Sequence, residues 1–277
     1  MLKVSKYGDQ QGRLVFYFHG APGSAAEAVM LEQAANKEQL CIISFKRFSI
    51  DPTLDIQTYY QQLADKIASI SEGQKVDLIG FSIGCHVAIE VALLLEKQLA
   101  SLHLVSCAAP LEGGDFLSDM AGGTVFKLAK KAPLLFSALS HWQKLLAKFA
   151  PLLLYQMLFA SARSQDRELA SSAAFKQLLM PVLADCFSRD VSGYIRDVKA
   201  YVKPWSAQLV KLQVNTYLYH GQADNWSPLP MAHYLRDTIA APCQLQEYPE
   251  LSHYSCLNAA VSDIFQQLKQ NRAESEK

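Results

Sequence analysis

The chain has 277 residues, half of them apolar and 19% charged, with 26 Lys plus Arg against 26 Asp plus Glu. That length buries a sizeable core and fits one domain, or one domain with an insertion. Zero formal net charge sets the chain apart from the strongly basic proteins that bind nucleic acid electrostatically, and gives no reason to expect an anionic membrane as partner.

The opening M-L-K-V-S-K-Y-G-D-Q lacks the apolar core of a secretory signal. No uninterrupted apolar run is long enough to span a bilayer. The nearest, 149–162, is short, contains Pro151 and Gln156, and reads as a buried helix. The expected location is cytoplasmic, without stable membrane insertion. Cysteines 41, 85, 107, 186, 243 and 256 are scattered, with no C-x-x-C pair and no H-E-x-x-H segment. Neither disulfides nor a metal site is expected from them.

The first strong strand signal is L-V-F-Y-F at 14–18, and the sheet reads as shortened before it. The strand ends in H-G-A-P-G-S at 19–24, a tight loop whose glycines can turn backbone N–H groups inward. A second strand is read at 40–45 (L-C-I-I-S-F). In 56–70 the apolar Tyr59, Leu63, Ile67 and Ile70 recur at helical spacing. A third strand, 76–79, runs straight into G-F-S-I-G at 80–84, and 83–95 then reads as a helix. G-x-S-x-G has mechanical meaning only in that setting, where the chain turns sharply from strand to helix and presents the serine. Ser82 is therefore the candidate nucleophile. The N–H of Ile83, and one from the upstream loop at Ala21, are the candidate oxyanion donors.

A fourth strand at 102–107 is followed by a break in the rhythm. From 111 to 206 there is no good strand run, only helix-like segments punctuated by Gly113-Gly114, Gly122-Gly123, Pro133, Pro151 and Pro181. Its apolar faces are expected to pack on each other and on the main domain, and lining a lipophilic pocket is the further possibility. The next strand, 214–219, leads into H-G-Q-A-D-N-W-S-P, which puts Asp224 in a loop at a strand's C-terminal end. Helix 230–239, a final strand C-Q-L-Q-E-Y, the loop E-L-S-H-Y with His253, and a helix at 258–268 complete the chain, apart from the charged tail A-E-S-E-K.

A serine needs a base, and the base an orienting carboxylate, here in the chain order Ser, acid, His. His253 as base and Asp224 as acid satisfy that order; Glu112 and Asp115 are the fallback acids. The other histidines are poorer bases: His19 sits in the upstream loop, His86 on the elbow helix in a packing position, His103 inside a strand and His220 at a strand end. Continuous apolar strands alternating with amphipathic helices predict an α/β fold with a mainly parallel sheet flanked by helices. Residues 1–110 and 207–277 form the core domain, and 111–206 an inserted all-helical segment.

Together H-G-A-P-G-S, G-F-S-I-G-C, H-G-Q-A-D-N-W-S-P and L-S-H-Y resemble the α/β-hydrolase superfamily in order and spacing, over most of the chain outside the insertion. The insertion resembles that family's helical cap. The H-G-x-P-G loop is similar to that of proline iminopeptidases, capped esterases and C–C bond hydrolases. The resemblance implies a Ser82–His253–Asp224 serine hydrolase working through an acyl-enzyme, with no metal or organic cofactor. Its expected substrate is a small or medium hydrophobic acyl compound, most simply a carboxylic ester. Aminopeptidase or amidase action is the alternative, and it needs a cap carboxylate among Glu112, Asp115, Asp119, Asp166, Glu168, Asp185 and Asp190 to bind an amine. Non-hydrolytic chemistry on the same scaffold, and a catalytically silent binding protein, are further alternatives. The apolar cap surface leaves a homo-oligomer open.

Overall fold

The computed structural model describes residues 2–188 and 190–275. Strands β1 (Val4–Gly8), β2 (Arg13–Phe18), β3 (Leu40–Phe45), β4 (Val76–Phe81), β5 (Leu99–Val105), β6 (Thr216–Gly221) and β7 (Cys243–Tyr248) form one sheet. Their order is β1-β3-β2-β4-β5-β6-β7. All neighbours are parallel except β1, which pairs antiparallel with β3. The sheet is thus one strand longer at its first edge than the sequence pattern predicts. V-S-K-Y-G has one paired neighbour, is only partly buried, and carries Ser5 and Lys6, so it lacks the continuous apolarity of the interior strands.

Helices α1 (Val29–Lys37), α2 (Ile56–Ser71) and α3 (Gly84–Leu95) lie in the first half. Between β5 and β6 come α4 (Gly123–Lys131), α5 (Pro133–Phe149), α6 (Pro151–Phe159), α7 (Gln165–Ser171), α8 (Ala173–Ser188), α9 (Ser192–Tyr201) and the single turn α10 (Ser206–Leu209). Helices α11 (Leu229–Thr238) and α12 (His253–Ser275) finish the chain. The described residues from 106 to 215 contain no strand. Pro133 and Pro151 open their helices, where a missing N–H costs nothing. Pro181 differs from the expected punctuation, because α8 runs through it.

Alternate residues of each strand enter opposite cores. Phe16, Phe18, Ile43 and Leu78 join Tyr59 and Leu63 of α2 and Val87 of α3 on one face. Val15, Tyr17, Ile42 and Ile79 join Leu31 of α1 and Leu257 and Ile264 of α12 on the other. The inserted helices extend both clusters, with Phe136, Phe187 and Tyr194 in the first and Phe159, Phe175 and Leu179 in the second.

A buried ionic knot ties the insertion to the core. Arg47, just after β3, donates from Nε to Asp197 Oδ2 at 2.8 Å, and Tyr59 Oη reaches the same oxygen at 3.3 Å. Arg196 Nε donates to Asp197 Oδ1 at 3.1 Å, its two terminal nitrogens hold the carbonyls of Arg47 and Ile50, and its guanidinium lies 3.6 Å from the Tyr59 ring centroid. Asp197→Ala leaves two arginine charges without their carboxylate, one of them fully buried. This substitution should cost about 3–5 kcal/mol, read as a lower urea midpoint at unchanged slope. A loss below about 1 kcal/mol would mean that water solvates the knot.

Candidate active site

Strand β4 ends at Phe81 and α3 begins at Gly84, so the chain reverses over two residues. Ser82 takes φ +55°, a left-handed conformation that costs a non-glycine residue of order 1 kcal/mol or more. Backbone bonds on both sides enforce it. Ser82 N–H donates to Val105 O at 3.0 Å, and Cys85 N–H donates to Ser82 O at 3.0 Å. The flanking glycines are required by space. A Cβ on Gly80 would lie 2.7 Å from Cys85 Cα, and one on Gly84 would lie 2.2 Å from Phe18 O. Ile83 is the N-cap residue of α3, where helix N–H groups lack intrahelical acceptors and attract negative charge.

The upstream loop packs directly on this turn. A Cβ at Gly20 would meet the Phe81 ring at 3.2 Å and Ser82 Cβ at 3.4 Å. The Gly20 peptide is gripped from both ends by ionisable side chains, of which the sequence points only to His19. Its N–H donates to Glu27 Oε1 at 2.9 Å, where Tyr17 Oη also donates at 2.7 Å. Its carbonyl accepts from His19 Nδ1 at 2.8 Å and from Arg47 Nη2 at 3.4 Å. Burial and the nearby Arg47 charge hold the His19 imidazole well below its usual range, so it is a neutral loop support. Ala21, the next residue, shares one cavity wall with Ser82 and Ile83.

Asp224 and His253 meet as expected. His253 Nδ1 donates to Asp224 Oδ2 at 2.8 Å, and Asp224 Oδ1 accepts the N–H groups of Trp226 at 2.8 Å and Ser227 at 3.0 Å. Burial raises the Asp224 carboxyl, but the charge and hydrogen bond of His253, with His220 and Ser227, outweigh it and hold the group below the usual carboxylate range. The Asp224 carboxylate on Nδ1–H fixes the tautomer in which Nε2 of His253 is the basic nitrogen. The imidazole is fixed between aromatic rings, stacked on Trp226 at 5.2 Å and tilted at 4.8 Å against Phe81, the residue that precedes Ser82.

Two further side chains hold this pair, in roles other than those the sequence suggests for them. His220 donates from Nε2 to Ser227 O at 2.7 Å and lies 3.8 Å from Asp224 Oδ2, stiffening the 224–227 turn. Asp166, at the start of α7, is buried and accepts the N–H groups of Tyr254 at 3.0 Å and Ser255 at 2.7 Å. It therefore caps α12 at the residue that carries the imidazole, and lets that helix begin at His253 rather than near 258. Glu112 is also engaged, accepting from the backbones of Trp205 and Ser206, and His86 packs against Trp205.

Ser82 opens onto a cavity of about 290 Å3. Apolar side chains dominate its wall, among them Val125, Phe126, Leu139, Trp142, Leu154 and Met157, and no charged residue lines it. Gln143 and Trp226 also line it, and each carries a buried polar atom, Oε1 and Nε1, without a hydrogen-bond partner. Among the described residues no group of three or more His, Cys, Asp or Glu could hold a metal ion.

A model of the alpha/beta hydrolase family matches residues 15–263. The chain belongs to that family. No curated protein matches it by sequence. Solved structures with the same fold include a bromoperoxidase from Bacillus anthracis, 16% identical with a TM-score of 0.66, covering 98% of this chain and 95% of that one. A proline iminopeptidase from Mycobacterium smegmatis is 13% identical with a TM-score of 0.67, covering 98% and 95%. An esterase from Exiguobacterium antarcticum is 19% identical with a TM-score of 0.59, covering 97% and 94%.

Within this alpha/beta hydrolase, Glu27 gives the loop beside Ser82 a pH dependence. Burial raises its carboxyl from 4.5 to about 7, against the opposing bonds from Tyr17 and Gly20 and the Arg47 charge. Between those two values the unfolded chain releases a proton that the folded chain keeps, so stability falls as pH rises through the window. The total loss is about 3 kcal/mol. Glu27→Gln keeps an oxygen for Tyr17 and Gly20 but does not titrate, so its urea midpoint should lack this decline. Equal declines in both proteins would assign the effect to another group.

Proposed function

We propose that this chain is a serine hydrolase of neutral, apolar acyl esters, with Ser82 as nucleophile, His253 as base and Asp224 as orienting acid. The observations that carry the reading are the left-handed Ser82 turn on the wall of an uncharged cavity, and an imidazole that packs on the preceding Phe81 and is bonded to a buried carboxylate. His253 Nε2 takes the Ser82 proton as Oγ attacks the ester carbonyl. The oxyanion is held by the N–H groups of Ala21 and Ile83, and each such donor contributes on the order of 3 kcal/mol to the barrier. The imidazolium protonates the leaving alkoxide, and water, activated by the same nitrogen, releases the acid from the acyl-enzyme. Asp224 fixes the tautomer and stabilises the imidazolium. Residues 111–206 act as the cap that gives the cavity its apolar wall.

The cavity favours an ester over the amine-terminated substrate of a proline iminopeptidase. No carboxylate lines it, and two cap acids that could have bound an amine, Glu112 and Asp166, are occupied by backbone N–H groups. Its volume, at the small end of ligand pockets, suits a small or medium acyl group.

A fluorophosphonate probe should label the wild type and not Ser82→Ala; labelling that persists in Ser82→Ala would remove the nucleophile assignment. On chromogenic esters, Asp224→Asn should lose turnover by on the order of 10^4-fold while remaining folded. Medium-chain esters should be cleaved faster than acetate, and aminoacyl amides not at all. A preference for the aminoacyl amides would favour the peptidase reading.

A further inference from the structure

The sequence predicts that the apolar faces of the insertion are buried, and on α5 and α6 this is only half true. Phe136, Leu154 and Phe159 point inward, but Leu134 is 83% exposed, Leu135 61%, Leu145 54% and Phe149 72%. Among the described residues, eight of the ten exposed large apolar side chains fall between 134 and 157, the other two being Leu94 and Val210. On α5 the exposed residues Leu135, Ala138, Trp142, Leu145 and Phe149 recur at alternating spacings of three and four, which places them in one stripe along the helix. The stripe continues into Leu152, Leu153 and Met157 of α6. A patch of this size marks a surface that is covered in use.

Charge identifies what covers it. Residues 120–165 contain five lysines and Arg163 and not one Asp or Glu, so they carry +6 and the rest of the chain −6. The zero net charge therefore conceals a local excess of positive charge along this segment. Lys130 and Lys131 immediately precede the apolar stripe, and Lys148 ends it, lying over the Phe149 ring. Lys144 stands nearer the core side, where Asp190, held low chiefly by Ser192, also feels its charge. The exposed lysines that frame the stripe are thus Lys127, Lys130, Lys131 and Lys148. A second copy of this chain would bring the same cations to a symmetric contact with no carboxylate from the segment to answer them. Anionic lipid headgroups supply that complement, and acyl chains accept the leucines. No helix among the described residues is long and apolar enough to cross a membrane, and Pro151 breaks the run, so the helices lie in the interface rather than through it.

We propose that α5 and α6 form a reversible docking face for an anionic lipid surface. The same face leads to the cavity. Trp142 and Met157 are both about half exposed on the stripe and line the pocket of Ser82. A docked cap therefore receives acyl chains from the lipid phase, which makes lipid-borne esters the substrate class; this last step rests on the esterase reading, whereas docking does not.

Flotation of the full-length Ser82→Ala protein separates the two. It should rise with vesicles of phosphatidylcholine mixed with phosphatidylglycerol, with a blue shift of tryptophan fluorescence from Trp142, and bind phosphatidylcholine alone at least tenfold more weakly. Lys130→Gln/Lys131→Gln should weaken binding to the mixed vesicles by about tenfold at low salt. Leu135→Gln/Leu145→Gln/Phe149→Gln, at exposed positions outside the cavity wall, should abolish it, while keeping the circular dichroism spectrum. In a Ser82 background the same triple variant should lose hydrolysis of a vesicle-borne ester and keep that of a soluble short-chain ester. Failure of Ser82→Ala to float, flotation indifferent to headgroup charge, or a stable solution dimer dissolved by the triple variant would overturn docking. Flotation without esterase activity of the wild type would retain docking and remove the hydrolase reading.

Discussion

The geometry of the site depends on how closely two backbones can approach. The end of β2 passes α3 so tightly that the hydrogen of Gly84 faces the carbonyls of Phe18 and His19, at distances where no Cβ could stand. That approach sets the loop carrying Gly20 and Ala21 against Ser82, and the same reversal forces Ser82 into its left-handed conformation. Neither element needs a long side chain to reach the other. The precision comes from main chain on main chain, which has little freedom to relax.

Around this contact, buried ionisable side chains do the positioning. Glu27 and Arg47 hold the two ends of the Gly20 peptide, and Arg47 in turn pairs with Asp197 of α9. Asp166 of α7 caps the helix that begins at His253. Loop, imidazole and inserted helices are therefore coupled through ionic groups that water does not reach. Displacing the insertion uncovers Asp197 and Asp166 together, so a rigid insertion is favoured near the core, and variation is cheapest at the outer faces of α5 and α6.

Much of this was legible in the sequence, and the remainder has identifiable causes. Strands buried on both faces announce themselves by uninterrupted apolarity, as in L-C-I-I-S-F, and the G-F-S-I-G turn is recognisable because strand and helix signals adjoin it. Asp224 and His253 stand out through loop position and chain order. The edge strand β1 was not visible, because half its surface faces solvent and its pattern resembles a polar loop. Glu27, Asp166 and His220 act through partners that the chain brings together only on folding; Asp166 caps residues 88 and 89 positions away. The exposure of the apolar stripe of α5 is hidden from the sequence for a different reason. Amphipathicity fixes which residues share a face, but whether protein or lipid covers that face is decided by what lies opposite.

The central claim is that Ser82 forms an acyl-enzyme with His253 as its base. Peptide mass mapping of the wild type, after brief exposure to an activated medium-chain ester and rapid acid quench, addresses it directly, with His253→Ala run beside it because acylation and deacylation need the same base. The expected result is a transient acyl group on the Ser82-containing peptide of the wild type, and none in His253→Ala over the same interval. An adduct on another residue, acylation of His253→Ala at the wild-type rate, or ester hydrolysis by Ser82→Ala at the wild-type rate would contradict it.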